Sequence, residues 1–78
     1  MLKLNKHTDP SLSVLNIAGM TIEILQQNKI LTHDELLASL IHKTSKSVEE
    51  VFLYALSFLY IVGKLEYIPE IDALRISQ

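Results

Sequence analysis

At 78 residues the chain has room for one domain and none for a second, and a fold of that size buries only about 60–65% of the surface its unfolded form exposes. Yet 49% of the residues are hydrophobic and the mean hydropathy is +0.27, so some apolar side chains must meet a partner or water. The net charge is only −2 and cysteine is absent, which excludes disulfides and thiolate metal sites and fits a reducing cytoplasm. No signal peptide is read, and the longest apolar runs, VFLYAL and FLYIV, are too short to cross a bilayer.

Residues 1–10, MLKLNKHTDP, read as an irregular lead-in in which Asp9 or Ser11 caps the following helix and Pro10 sits in its first turn. A first helix is expected over 11–28, with Val14, Leu15, Ala18, Ile22 and Leu25 as its core stripe. Ile17, Met20 and Ile24 form a second apolar stripe that points away from the first. The tripeptide KIL (29–31) suits a short strand. Thr32 followed by Glu35 is a capping box, opening a helix over 32–42 whose buried face is Leu36, Leu37, Leu40 and Ile41.

The polar HKTSKS segment reads as a turn. Ser47 and Glu50 repeat the capping-box spacing for a third helix over 47–62, which Gly63 ends. The period then changes from helical to alternating, and residues 64–77 read as a hairpin with PEID (69–72) as its turn. Leu65, Tyr67, Leu74 and Ile76 share one of its faces. The predicted fold is mainly α with a small β-hairpin: a winged helix-turn-helix of three helices, a short strand and a C-terminal two-stranded wing, spanning 1–78 as one domain.

Little of this carries reaction chemistry. His7, His33 and His42 make no H-E-x-x-H pattern and read as polar surface residues. The two glycines, Gly19 and Gly63, cannot build a phosphate cradle, and the serines lack a nucleophile-elbow context. Glu49 and Glu50 are adjacent on a helix, hence about 100° apart, and favour the helix dipole rather than acid–base work. No catalytic residue, cofactor or metal is expected.

Nucleic-acid binding is the sharper question, since the fold invites it. Residues 1–46 hold five lysines against four acids, whereas 47–78 hold Lys64 and Arg75 against Glu49, Glu50, Glu66, Glu70 and Asp72. Lys43 and Lys46 in the turn can reach a backbone phosphate. Glu49 and Glu50, however, occupy the start of the helix that would read bases, and Glu66, Glu70 and Asp72 make the wing repel phosphate. The charges argue against DNA; a winged-helix DNA-binding regulator stays as the alternative.

On a helical wheel, Val48, Val51, Phe52, Ala55, Leu59 and Val62 gather on the core side of the third helix. The opposite side, polar in a monomeric surface helix, holds Glu50 and Ser57 but also Leu53, Tyr54, Tyr60 and Ile61. Either the hairpin, the lead-in and compact packing cover this surplus, or a protein partner does, as a homodimer or a different subunit. The interface candidates are Leu53, Tyr54, Tyr60, Ile61, Ile17, Met20 and Ile24, residue types that anchor interfaces or fill irregular gaps.

The segments NKHTDPSLSVLNIAGMTIEIL, LTHDELLASL and FLYALSFLYIVGKLEY resemble the small middle component, of the sixth described type, of bacterial three-component ABC-ATPase systems. The resemblance covers nearly the whole chain. It implies a non-catalytic adaptor linking an SMC/RecN-like ABC ATPase to an effector subunit, in systems associated with defence against phage. It also implies likeness to condensin winged-helix subunits, which bind protein rather than DNA, and it supplies no catalytic residues.

Overall fold

The computed structural model of the chain describes residues 13–77. The elements run α1 (Val14–Asn28), β1 (Ile30–Thr32), α2 (His33–Lys43), a 3₁₀ turn (Lys46–Val48), α3 (Glu49–Ile61), β2 (Leu65–Ile68) and β3 (Ala73–Ile76). Three α-helices thus share one core with a small antiparallel sheet of order β1-β3-β2. The lead-in 1–10, with His7 and the cap candidates Asp9 and Ser11, lies outside the described residues.

α1 starts three residues later than the hydrophobic spacing places it, because Ser13 is the cap: its hydroxyl accepts the Asn16 N–H at 3.1 Å. The core stripe of α1 also differs. Ile17, Ala18, Thr21, Ile24 and Leu25 are buried, Val14, Met20 and Ile22 pack half-buried against them, and Leu15 is 68% exposed. The expectation that Ile17 and Ile24 face outward, and that Leu15 faces the core, is therefore corrected.

The reason is Thr21. It lies on the line between Ile17 and Ile24, and its hydroxyl donates to the Ile17 carbonyl at 2.8 Å. With that bond made, burial leaves no polar group unsatisfied, and the two expected stripes merge into one broad core face.

The Thr32 capping box forms in full: the Thr32 hydroxyl accepts the Glu35 N–H at 3.1 Å, and a Glu35 carboxylate oxygen accepts the Thr32 N–H at 2.9 Å. Leu36 and Leu40 of α2 are completely buried, with Leu37 and Ile41 packed beside them. The second box does not form. Ser47 falls inside the 3₁₀ turn, and Val48, buried in the core, occupies the cap of α3 without a side-chain hydrogen bond.

α3 closes with a Schellman motif: the Gly63 N–H donates to the Tyr60 carbonyl at 3.0 Å and the Lys64 N–H to the Leu59 carbonyl at 2.9 Å. Gly63 has φ +75°, a conformation that costs any residue with a Cβ. Val62, expected in the core, is the exposed C-cap beyond the last helical turn.

The hairpin pairs Leu65 with Ile76 and Tyr67 with Leu74, and β1 adds a third strand by pairing Leu31 with Leu74. Leu65 and Leu74 are buried beneath the helices, while Tyr67, on the β2 edge, is half exposed.

Candidate protein interface

α3 packs against α1, α2 and β2 through Phe52, Ala55, Leu56 and Leu59. Leu56 is a core residue that the wheel reading omitted. Nothing among the described residues covers the opposite side. There Leu53 is 64% exposed, Tyr54 67%, Tyr60 40% and Ile61 83%. At about 100° per residue these four span an arc of roughly 120°, with Glu50 and Ser57 running along its middle. Met20 is half-buried against the core, and Ile17 and Ile24 are inside it. Of the seven candidates, the structure brings four together on α3 and withdraws the α1 stripe.

The hairpin that packs beside α3 has its turn fixed by Asp72. The four-residue turn 69–72 brings Asp72 to φ +50°, a left-handed conformation that aspartate tolerates better than most residues. The Asp72 carbonyl accepts the His33 N–H at 2.9 Å, and the Tyr67 hydroxyl donates to its carboxylate at 2.5 Å. Asp72 therefore ties the start of α2 to the tip of the hairpin.

The charge of that carboxylate also acts on Tyr60. The Tyr67 hydroxyl is held above its ordinary pKa first by its hydrogen bond to Asp72, then by burial and by the charges of Asp72 and Tyr60. The Tyr60 hydroxyl is raised first by burial and then by the Asp72 charge. Tyr60, Tyr67 and the Asp72 carboxylate thus act on one another electrostatically. Sequence reasoning treated Tyr60, Tyr67 and Asp72 separately. The one signal that links them is the spacing of Pro69 and Asp72 across a tight turn.

The other candidate chemistries find no site of this kind. His33 packs its ring edge-on against Phe52, with centroids 4.9 Å apart, so it is a half-buried packing residue rather than a free surface histidine. His42, Lys43 and Lys46 are exposed. Among the described residues, no cluster of three or more His, Asp and Glu is placed to hold a metal ion, and no helix is long and apolar enough to cross a membrane. An open groove of about 650 Å³ lies between the end of α1 and the sheet, lined by Leu25, Gln26, Lys29, Ile30, Glu66, Arg75 and Ile76. Of its three charged residues, Lys29, Glu66 and Arg75, the last two pair with each other, Arg75 Nε donating to Glu66 at 2.7 Å.

Comparison with known protein families gives a match over most of the described residues. The family described as ABC-three component (ABC-3C) system Middle Component 8 matches residues 29–77, well over half of the chain and all of the α3 stripe and the Asp72 turn. No curated protein and no solved structure matches. The resemblance read from the sequence was to the same component but to its sixth type, and that type number is not supported. By this match the chain belongs to the ABC-three component system Middle Component 8 family.

Proposed function

We propose that the chain is a non-catalytic adaptor of its ABC-three component system, a winged-helix-like domain that binds protein through the outer face of α3. In this reading it links an SMC/RecN-like ABC ATPase to an effector subunit in the cytoplasm, within a system that acts against phage. The observation that carries the reading is the exposed stripe Leu53, Tyr54, Tyr60 and Ile61. A lone surface helix is polar on that side, and aromatic and aliphatic anchors of this kind dominate interface energetics. The acidic start of α3, Glu49 and Glu50, supports a protein partner over a DNA duplex.

The test is co-purification of the chain with the ATPase and effector subunits of its own system. Leu53→Asp and Tyr60→Asp should each weaken the complex by about 2 kcal/mol or more if they are hot spots, with thermal melting of the isolated chain little changed. Complexes that survive both substitutions refute the interface. A mobility-shift arm addresses the regulator alternative: the chain should bind no duplex tighter than about 10⁻⁵ M at physiological salt, mid-range for non-specific binding. Submicromolar affinity would replace the adaptor with a DNA reader.

A further inference from the structure

We propose that the outer face of α3 is self-complementary and pairs, antiparallel, with the same face of a second copy of this chain, with Ser57 at the two-fold axis. This rests on the reading of α3 as a protein interface. It adds that the face is covered by its own counterpart until a partner subunit displaces it.

The order of residues along the stripe carries the inference. Glu50, Ser57 and Lys64 are spaced seven residues apart, and all three are exposed. Tyr54 lies three residues before Ser57 and Tyr60 three after it; Leu53 lies four before and Ile61 four after. Counted outward from Ser57 in either direction, the face therefore reads tyrosine, branched aliphatic, then a charge. Only the sign of that charge differs between the two ends.

Helical geometry puts these positions on one face. At about 100° per residue, positions three and four away fall about 60° and 40° to either side of Ser57, and a position seven away about 20°. Lys64 follows Gly63 and is past the regular helix, yet its N–H bond to the Leu59 carbonyl at 2.9 Å keeps its backbone against the last turn. Glu49, about 80° round from Ser57, lies at the edge of the face.

A two-fold axis at Ser57 turns this symmetry into contacts, because a symmetric dimer pairs one surface with itself. Antiparallel copies bring each residue level with the one equally far on the other side of Ser57. Leu53 and Tyr54 of one copy then meet Tyr60 and Ile61 of the other, and the same pairing recurs at the opposite end. Glu50 of each copy comes level with Lys64 of the other, so both rims carry unlike charges. A parallel pairing would set Glu50 on Glu50 and Lys64 on Lys64, which charge complementarity disfavours. Ser57, the smallest side chain of the stripe, falls at the axis, where no bulky group holds the helices apart.

The area sets the strength. Side chains of this size bury about 150–250 Å² each when fully covered. At the 40–83% exposure of the four anchors, each copy offers roughly 500 Å² against about 800 Å² per partner in a standard interface. The pair is therefore a reversible dimer that comes apart on dilution and yields to a partner subunit that covers more surface.

The experiment starts with sedimentation of the chain from about 10 μM to about 1 mM, across which a weak pair should pass from monomer to dimer. Glu50→Lys and Lys64→Glu should each weaken the dimer about tenfold by setting like charges level, and the double variant Glu50→Lys/Lys64→Glu should restore it. Because the chain has no cysteine, Ser57→Cys introduces a single thiol at the axis. In a glutathione redox buffer it should form a disulfide-linked dimer, which needs the two Cα atoms within about 7 Å. Leu15→Cys, on the exposed side of α1, is the control and should stay monomeric.

A chain that remains monomeric at the highest concentration overturns the inference. So does a Ser57→Cys chain that cross-links no faster than Leu15→Cys, or a double charge variant as weak as the single ones. If the chain is monomeric but Leu53→Asp still releases the ATPase and effector subunits, α3 stands as their interface without self-pairing. If the dimer behaves as described but those subunits bind Leu53→Asp as well as the wild-type chain, self-pairing stands and the adaptor surface lies elsewhere.

Discussion

α1 and α3 look alike on paper: each carries more apolar residues than one helix face needs. The structure treats them differently. α1 is central, packed against α3, α2 and β3, and its two expected stripes merge into a single buried face around Thr21. α3 is peripheral and keeps Leu53, Tyr54 and Ile61 in solvent. Periodicity shows how many apolar faces a helix has. Only the surrounding elements determine which of them is covered.

The largest expected effects come from exchanging the two roles. Ile17→Ala or Ile24→Ala should cost about 2–5 kcal/mol, because each leaves a cavity in a small core, and thermal melting should fall by about 8 °C or more on the usual scale of about 4–8 °C per kcal/mol. Leu53→Asp should move melting by no more than about 0.5 kcal/mol, as for other exposed sites. Equal losses would mean that α3 is as buried as α1.

A smaller contrast separates the two glycines. Gly19 lies on the exposed side of α1 with nothing within 4 Å of an added Cβ, so Gly19→Ala should stabilise by about 0.5–1 kcal/mol through helix propensity. Gly63→Ala meets equally open space but inherits φ +75°, and should destabilise by about 1 kcal/mol from backbone conformation alone. Chemical denaturation of both variants reads the two signs together. A loss at Gly19 would place that side of α1 against another surface.

The smallest effect sharpens where the α3 face meets the hairpin. The Tyr60 and Tyr67 hydroxyls hold their protons above the ordinary value of 10.0, so their contribution to stability is complete below that pH and is lost as pH rises through the raised pKa values. Asp72→Asn removes the charge common to both, and the tyrosinate transition followed by ultraviolet absorbance should move to lower pH. An unchanged transition would separate Tyr60 from the hairpin turn.

Much of the fold was legible because its determinants are local. Thr32 and Glu35 are three residues apart and form the box their spacing implies, Gly63 ends α3, and alternation around PEID sets the hairpin register. The misreadings came from groups whose role depends on distant partners. Thr21, in neither expected stripe, joins the core through its bond to the Ile17 carbonyl, and Ser47 has the spacing of a cap but loses the place to Val48, which the core takes. The pairing of β1 with β3 joins residues more than forty apart, beyond any local pattern. The exposed α3 stripe was legible from the wheel; the hydrogen bond of Tyr67 to Asp72 was not, because a turn brings the two together.

The most direct test of the central claim is NMR mapping of the chain on addition of the ATPase subunit of its own system. The α3 reading predicts that the largest shifts and line broadening fall on Leu53, Tyr54, Tyr60 and Ile61, with Leu15 and Ile30 unaffected. Perturbations centred on Leu15, or on the groove between α1 and the sheet, with the α3 residues unchanged, would contradict it.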